Sequence, residues 1–284
     1  MIRRRIAEQP PSRLAIWARR FALFSLAATL IAVVIVRSGA LDLVPALSTL
    51  AGALVLAVVA ILLAVAAGIV IWREGVGGLQ QAATAFLIGV ALIAYPLYLG
   101  IKAYRLPAIY DVTTDPIDPP RFEAIARLRP RDANPVTYAG LYTAEQQRAA
   151  YSDIEPDLTD SSPQEAYNAA LKVITKRKWH IVDARPPQGA TPREGRIEAI
   201  ALTPILGFRD DVAVRVRATQ EGARIDIRSA SRYGRHDLGA NAARVRALIE
   251  DIDEVLAVPG TDKEKKVPAT KPAQPVGKGS SAKR

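Results

Sequence analysis

Ala46-Leu-Ser-Thr-Leu-Ala-Gly-Ala-Leu-Val-Leu-Ala-Val-Val-Ala-Ile-Leu-Leu-Ala-Val-Ala-Ala-Gly-Ile-Val-Ile-Trp72 is a run without a single charge. It exceeds the ~20 residues that a helix needs to cross a hydrocarbon core. Leu79–Ile101 is another uncharged run, interrupted by Pro96. Phe21–Val36 is shorter but lies between Arg19-Arg20 and Arg37, whose side chains can reach the interfaces. Three transmembrane helices over residues 21–104 follow, about 21–36, 46–72 and 79–101. Trp17, Trp72, Tyr95, Tyr98 and Tyr104 stand near their ends, where amphipathic rings settle at headgroup level. No Asp, Glu, Lys, Arg or His lies inside these runs, which argues against an ion or proton pathway.

The positive residues beside the spans set an expected orientation. Arg3, Arg4, Arg5, Arg13, Arg19 and Arg20 precede the first span, while the following short loops offer Arg37 and Arg73. Residues 1–20 are therefore expected in the cytoplasm, with everything after the third span on the far side of a bacterial inner membrane, in the periplasm. Ser38-Gly39-Ala40 resembles a signal-peptidase site, and cleavage after Ala40 would remove the first span. The 20-residue lead and Arg37 beside the site argue against it. Ala53, Ala57, Ala60, Ala64 and Gly68 form a small-residue stripe. Its expected use is packing within the three-helix anchor, or contact with a second copy or an envelope protein.

Beyond the spans the composition changes twice. Residues 105–137 carry Pro107, Pro116, Pro119, Pro120, Pro130 and Pro135 and read as an extended strap that regular ladders would avoid. Residues 259–284 are Lys, Pro, Ala, Ser and Gly with few apolar residues, and read as a disordered basic tail. Residues 138–258 have the makings of one α+β domain. Ser162-Pro163-Gln164-Glu165 is a capping box with proline at the first helical position, followed by Tyr167, Ala170, Leu171 and Ile174 at helical spacing. Trp179–Ala184, Arg196–Leu202, Val212–Ala218 and Arg224–Ser231 read as strands, and Leu238, Val245, Leu248, Ile249, Ile252 and Leu256 as the stripe of a last helix. The expected fold is a membrane-anchored α+β protein with an antiparallel sheet of about four strands packed against two helices.

The turn at Gln220-Glu221-Gly222 constrains the last hairpin. Val212, Val214 and Val216 must share a core face with Ile225 and Ile227, so paired residue numbers must sum to an odd value. Arg215, Arg217, Arg224, Asp226 and Arg228 then occupy the opposite face, with one Arg opposite Asp226 and another opposite an Arg. That face is expected either to be solvated or to dock an anionic group such as a lipid headgroup.

Three segments, Ile109-Tyr-Asp-Val-Thr-Thr-Asp-Pro-Ile-Asp-Pro-Pro-Arg-Phe122, Leu206-Gly-Phe-Arg-Asp-Asp-Val212 and Arg228-Ser-Ala-Ser-Arg-Tyr-Gly-Arg-His-Asp-Leu-Gly-Ala-Asn241, resemble signature segments of a bacterial family. It is known as a domain of unknown function, number fourteen ninety-nine. Gln146–Ile154 fits it as well. The resemblance covers about residues 105–256. It implies no activity, but it implies a domain commonly fused to N-terminal membrane helices.

Two readings of these segments stand side by side. In the structural one, Gly207, Phe208, Ser229, Ser231, Gly234, Leu238, Gly239 and Asn241 stitch a strand to a helix, with Gly234 at positive φ and Asp237 as helix cap. In the functional one, Asp210, Asp211, Arg232, His236 and Asp237 converge as a polar pocket, one carboxyl supplying an acid or base and Arg232 holding an anionic envelope substrate. Adjacent strand residues point to opposite faces, so Asp210 and Asp211 alone cannot form a close pair. There is no cysteine and there are two histidines, and no nucleophile elbow, His-Glu-x-x-His or dinucleotide motif occurs. No cofactor or metal is therefore expected. The leading expectation is a non-catalytic envelope interaction or scaffold domain, with an enzyme and a lipid or small-ligand binding module as rivals.

The formal charge of +10 divides along this organisation. Residues 1–20 carry +5, 21–105 carry +2, 106–258 carry −2 and the tail carries +5. The folded domain is slightly acidic, so the basic balance gives no support to a nucleic-acid partner. The expected partner of the basic flanks is the lipid bilayer.

Overall fold

The computed structural model describes residues 9–187 and 194–257. The basic tail expected over 259–284, and residues 1–8 of the N-terminal segment, lie outside the described residues. Three helices long and apolar enough to cross a membrane come first: α1 (Arg13–Ser38), α2 (Leu43–Glu74) and α3 (Leu79–Arg105). The first begins before the apolar run and includes Arg13, Arg19 and Arg20. Its 26 residues span roughly 39 Å at 1.5 Å per residue, which removes the shortfall of the run itself. Pro96 stays inside α3 without ending it.

Small residues explain how the three helices approach. Ala53, Ala57, Ala60 and Ala64 of α2 are buried, and Ala60 and Ala64 cluster with Ala18 and Ala22 of α1 and Ala85 of α3. Ser25 donates to the carbonyl of Ala53 at 2.8 Å, so its hydroxyl is satisfied between helices. A Cβ at Gly89 of α3 would fall 2.5 Å from Ile61, which shows how closely that backbone passes α2. The stripe is thus covered by the chain's own helices, except at Gly68, which faces open space.

The domain that follows is a six-stranded antiparallel sheet. Its strands are β1 (Asp111–Thr113), β2 (Asp157–Thr159), β3 (His180–Arg185), β4 (Glu194–Leu202), β5 (Arg209–Ala218) and β6 (Ala223–Ser231). The order is β1-β6-β5-β4-β3, with β2 also on β6. The four long strands are those read from the sequence; the two three-residue strands are additions. Both lie on the outer edge of β6, β1 against Arg228–Ala230 and β2 against Ala223–Ile225. Between them Thr114 donates its N–H to Ile227 O, and its hydroxyl accepts from Ile227 N. The edge of β6 is therefore sealed along its length, as a buried backbone requires.

The hairpin has the odd-sum register, with Val214 opposite Ile227, Arg215 opposite Asp226 and Arg217 opposite Arg224. Its turn requires Gly222, because a Cβ there would lie 2.2 Å from the carbonyl oxygen of Thr159. Helices α5 (Pro163–Lys176) and α6 (Ala240–Ala257) cover one face. Val173, Ile174, Val245, Leu248 and Ile252 meet Ile197, Val212, Val214, Val216, Ile225 and Ile227 there in one buried cluster. Leu238, expected in the stripe of α6, precedes that helix and has a left-handed backbone with φ 56°.

The opposite face is also covered. The strap crosses it, and Phe122 together with Ile125, the first residue of a short 3-10 turn (Ile125–Arg127), packs on Ala213 and Ala230. The domain has three layers rather than two, and β1 shows that the strap does carry a ladder, in its proline-free stretch between Pro107 and Pro116. Helix α4 (Leu141–Ala150), absent from the sequence reading, supports the strap. It lacks an apolar stripe; its Gln147 side chain instead accepts from Thr113 N at 3.0 Å and donates to Thr113 O at 2.7 Å, acting as the next strand beside β1.

The capping box forms as expected. Ser162 Oγ accepts from Glu165 N at 3.3 Å, and Glu165 accepts from Ser162 N at 3.0 Å. Ser162→Ala should lower the stability of the domain by about 1 kcal/mol in chemical denaturation of the full chain in detergent. An unchanged midpoint would show that α5 does not rely on this cap.

Candidate functional site

The segment from Arg228 to Asn241 runs from β6 into α6, and its polar side chains form a closed network. Ser229 donates to Asn241 Oδ1 at 2.8 Å. Asn241 Nδ2 donates to Tyr110 O and to Ser231 Oγ. Arg244 joins Ser229 and Asn241 and pairs with Asp210 at 2.6 Å. Asp237 accepts from Gly239 N and Asn241 N at 2.8 and 2.9 Å, capping the entry to α6. Gly234 has the expected positive φ, 86°. Gly239 has φ 77°, and a Cβ there would lie 2.8 Å from Leu106 at the end of α3, so both backbone and space call for glycine.

His236 lies at the junction with the membrane helices. Its Nδ1 accepts from Leu238 N at 2.9 Å, so Nε2 carries the ring proton and donates toward the carbonyls of Ala103 and Leu106, both at 3.2 Å. The ring ties the loop to the last turn of α3. Gly207, with φ 69°, rests against Arg37 at the end of α1, and Phe208 N donates to Thr203 Oγ1. Asp210 and Asp211 point to opposite faces of the sheet. Asp210 faces the helices and Arg244, while Asp211 faces the strap and accepts from both Arg129 at 2.6 Å and Arg232 at 2.7 Å.

The five polar candidates therefore do not share one cavity. Burial raises the carboxyls of Asp210 and Asp237 above the ordinary range. Arg244 opposes this at Asp210, and the N–H groups of Gly239 and Asn241 oppose it at Asp237. The like charge that acts on Asp210 is that of Asp237.

The strap covers the arginine face, burying Arg215 and Arg228 and leaving Arg217 and Arg224 half-buried, so a fully solvated face is not found. Asp226 accepts from Arg215, Arg217 and Arg224. Asp115 of the strap adds a 2.5 Å bond to Arg224, and Asp118 adds 3.0 Å bonds to Arg215 and Arg217. Three guanidiniums meet three carboxylates, which removes the repulsion of the Arg217–Arg224 pair. Arg228 makes a bidentate pair with Asp111 at 2.6 and 3.0 Å, donates to Pro120 O and Val136 O, and stacks 4.5 Å from the Phe122 ring. The anions that this face holds are the chain's own.

Several participants had no sequence signal. Glu198 is fully buried and accepts from the N–H groups of Glu123, Ala124 and Ile125, capping the 3-10 turn. Arg129 and Arg244 complete the ion pairs of Asp211 and Asp210. The even position of Glu198 in a strand whose odd positions are apolar was the only available clue. Among the described residues no group of three His, Cys, Asp or Glu side chains is placed to hold a metal.

Residues 111–252 match the model of a family described as protein of unknown function, DUF1499. The match begins at Asp111, so it includes the strap along with the sheet. No curated protein matches the chain.

Two outcomes are expected of this geometry. Asp211→Asn leaves Arg129 and Arg232 buried without a full counter-charge and should cost about 3–5 kcal/mol in denaturation. The second concerns Asp157 of β2, whose carboxyl burial and the neighbouring Asp253 raise from 3.8 to about 6. A folded value above the unfolded one means that the associated stability is present below about pH 4 and is lost as pH rises towards 6. Asp157→Asn should flatten that slope and raise the melting temperature at pH 7.5, with little difference at pH 4. Equal pH profiles would contradict it.

Proposed function

Because the chain belongs to the DUF1499 family, we propose that it is a non-catalytic, membrane-anchored domain that presents its surface to a partner in the bacterial envelope. The observation that carries this reading is the engagement of every candidate acid, base and anion holder. Asp210 is paired with Arg244, Asp211 with Arg129 and Arg232, Asp237 caps α6, and His236 bridges Leu238 N to the end of α3. A reacting substrate would need at least one of these groups free at a shared cavity. The contacts of the domain with the ends of α1 and α3 support presentation close to the bilayer. The arginines before α1 support placing the N-terminus in the cytoplasm and the domain in the periplasm.

The test is crosslinking in intact cells, followed by purification of the full chain from membranes carrying a C-terminal phosphatase fusion. The reading expects an active phosphatase and a discrete crosslinked adduct with another envelope protein. An inactive phosphatase together with an active cytoplasmic reporter would overturn the orientation. A chain recovered without any adduct from every growth condition would overturn the partner role.

A further inference from the structure

A cavity of about 600 Å³ opens where the domain meets the membrane helices. Arg37, Arg177, Lys178, Arg209 and Arg232 line it with Trp179 and His180, and among the described residues no Asp or Glu does. Two of the cations are engaged, Arg177 with Asp251 at 2.7 Å and Arg232 with Asp211 at 2.7 Å. Asp211 also serves Arg129, so that trio keeps a positive charge. Among the described residues Arg37 donates to the carbonyls of Pro204 and Ile205 alone. Lys178 and Arg209 are exposed and meet no carboxylate within 4 Å among the described residues. Of the five lining cations, Arg37, Lys178 and Arg209 have no carboxylate partner among the described residues, which leaves three uncompensated positive charges around one concavity.

Lys178 follows the C-cap of α5 with φ 58°, the left-handed position that usually takes glycine. The depth of the site is set by Arg37, in the last turn of α1, and by the Thr203–Gly207 loop resting on it. Leu202 and Ile205 expose apolar surface beside the same loop. Cations at the end of a membrane helix, with apolar side chains next to them, match the level at which lipid phosphates lie.

We propose that this cavity binds the phosphate group of an anionic membrane lipid, with Arg37, Lys178 and Arg209 as its principal ligands and Trp179 as its wall. The proposal goes beyond the presentation role and holds whichever side of the membrane the domain occupies. The full chain carrying Trp17→Phe and Trp72→Phe, in a neutral detergent, reports on the site through Trp179 fluorescence. It is titrated with short-chain phosphatidylglycerol, short-chain phosphatidylcholine and inorganic phosphate. A saturable change is expected with phosphatidylglycerol and none with phosphatidylcholine. Lys178→Gln and Arg209→Gln, both exposed and outside the core, should each weaken the apparent Kd about tenfold. No saturable change, equal response to phosphatidylcholine, or unaltered affinity in both variants would overturn the site. Inorganic phosphate binding as tightly as the lipid would overturn the membrane as the source of the anion.

Discussion

The bidentate pair between Asp111 and Arg228, both buried, is the interaction on which the rest of the domain depends. A guanidinium cannot be placed on the inner face of a sheet without a counter-charge and full hydrogen bonding. Asp111 supplies the charge, and the carbonyls of Pro120 and Val136 take the remaining donors. Those partners come from both ends of the strap, so Arg228 fixes its course across the sheet. Asp115 and Asp118 repeat the device at the next two same-face pairs of β5 and β6, Arg215–Asp226 and Arg217–Arg224. The strap is thus held largely by charge, where the helix-covered face is held by aliphatic packing. Burial favours the neutral form of the Asp111 carboxyl and raises it, while the Arg228 hydrogen bonds and charge pull it back.

The same construction explains how much could be read from the sequence. Parity in the 212–227 hairpin places its apolar and charged residues on opposite faces without knowledge of the partner strands, and the observed register follows it. The capping box and the role of Asp237 are local, within four residues, and were equally legible. The cover over the arginine face was not, because its determinants are separated by about a hundred residues and its prolines read as a spacer. Pairs such as Arg215 with Asp118 have no sequence spacing to reveal them. Helix α4 escaped notice because it buries Thr143 and Gln147 rather than an apolar stripe. The spacing of Leu238 matches the stripe of α6, yet the Asp237 cap starts the helix only after two left-handed residues.

The signature residues also join domain to membrane. His236 reaches the carbonyls of Ala103 and Leu106, Gly239 packs against Leu106, and Gly207 lies on Arg37. A segment that stitches β6 to α6 therefore also seats the sheet on α1 and α3. This accounts for the Ser, Asp, Asn, His and Gly residues of that stretch. The basic cavity lies at the same junction. At the interface between anchor and domain, unlike on the sheet's arginine face, Arg37, Lys178 and Arg209 have no carboxylate partner among the described residues.

The central claim is that buried charge pairing makes the strap an integral layer of the domain. A double-mutant cycle on Asp111→Asn and Arg228→Met, read by denaturation of the full chain in detergent, tests it most directly. The account predicts that each single variant loses about 3–5 kcal/mol and that the double variant loses at least ~2 kcal/mol less than their sum. Single losses below about 1 kcal/mol that simply add in the double variant would contradict it.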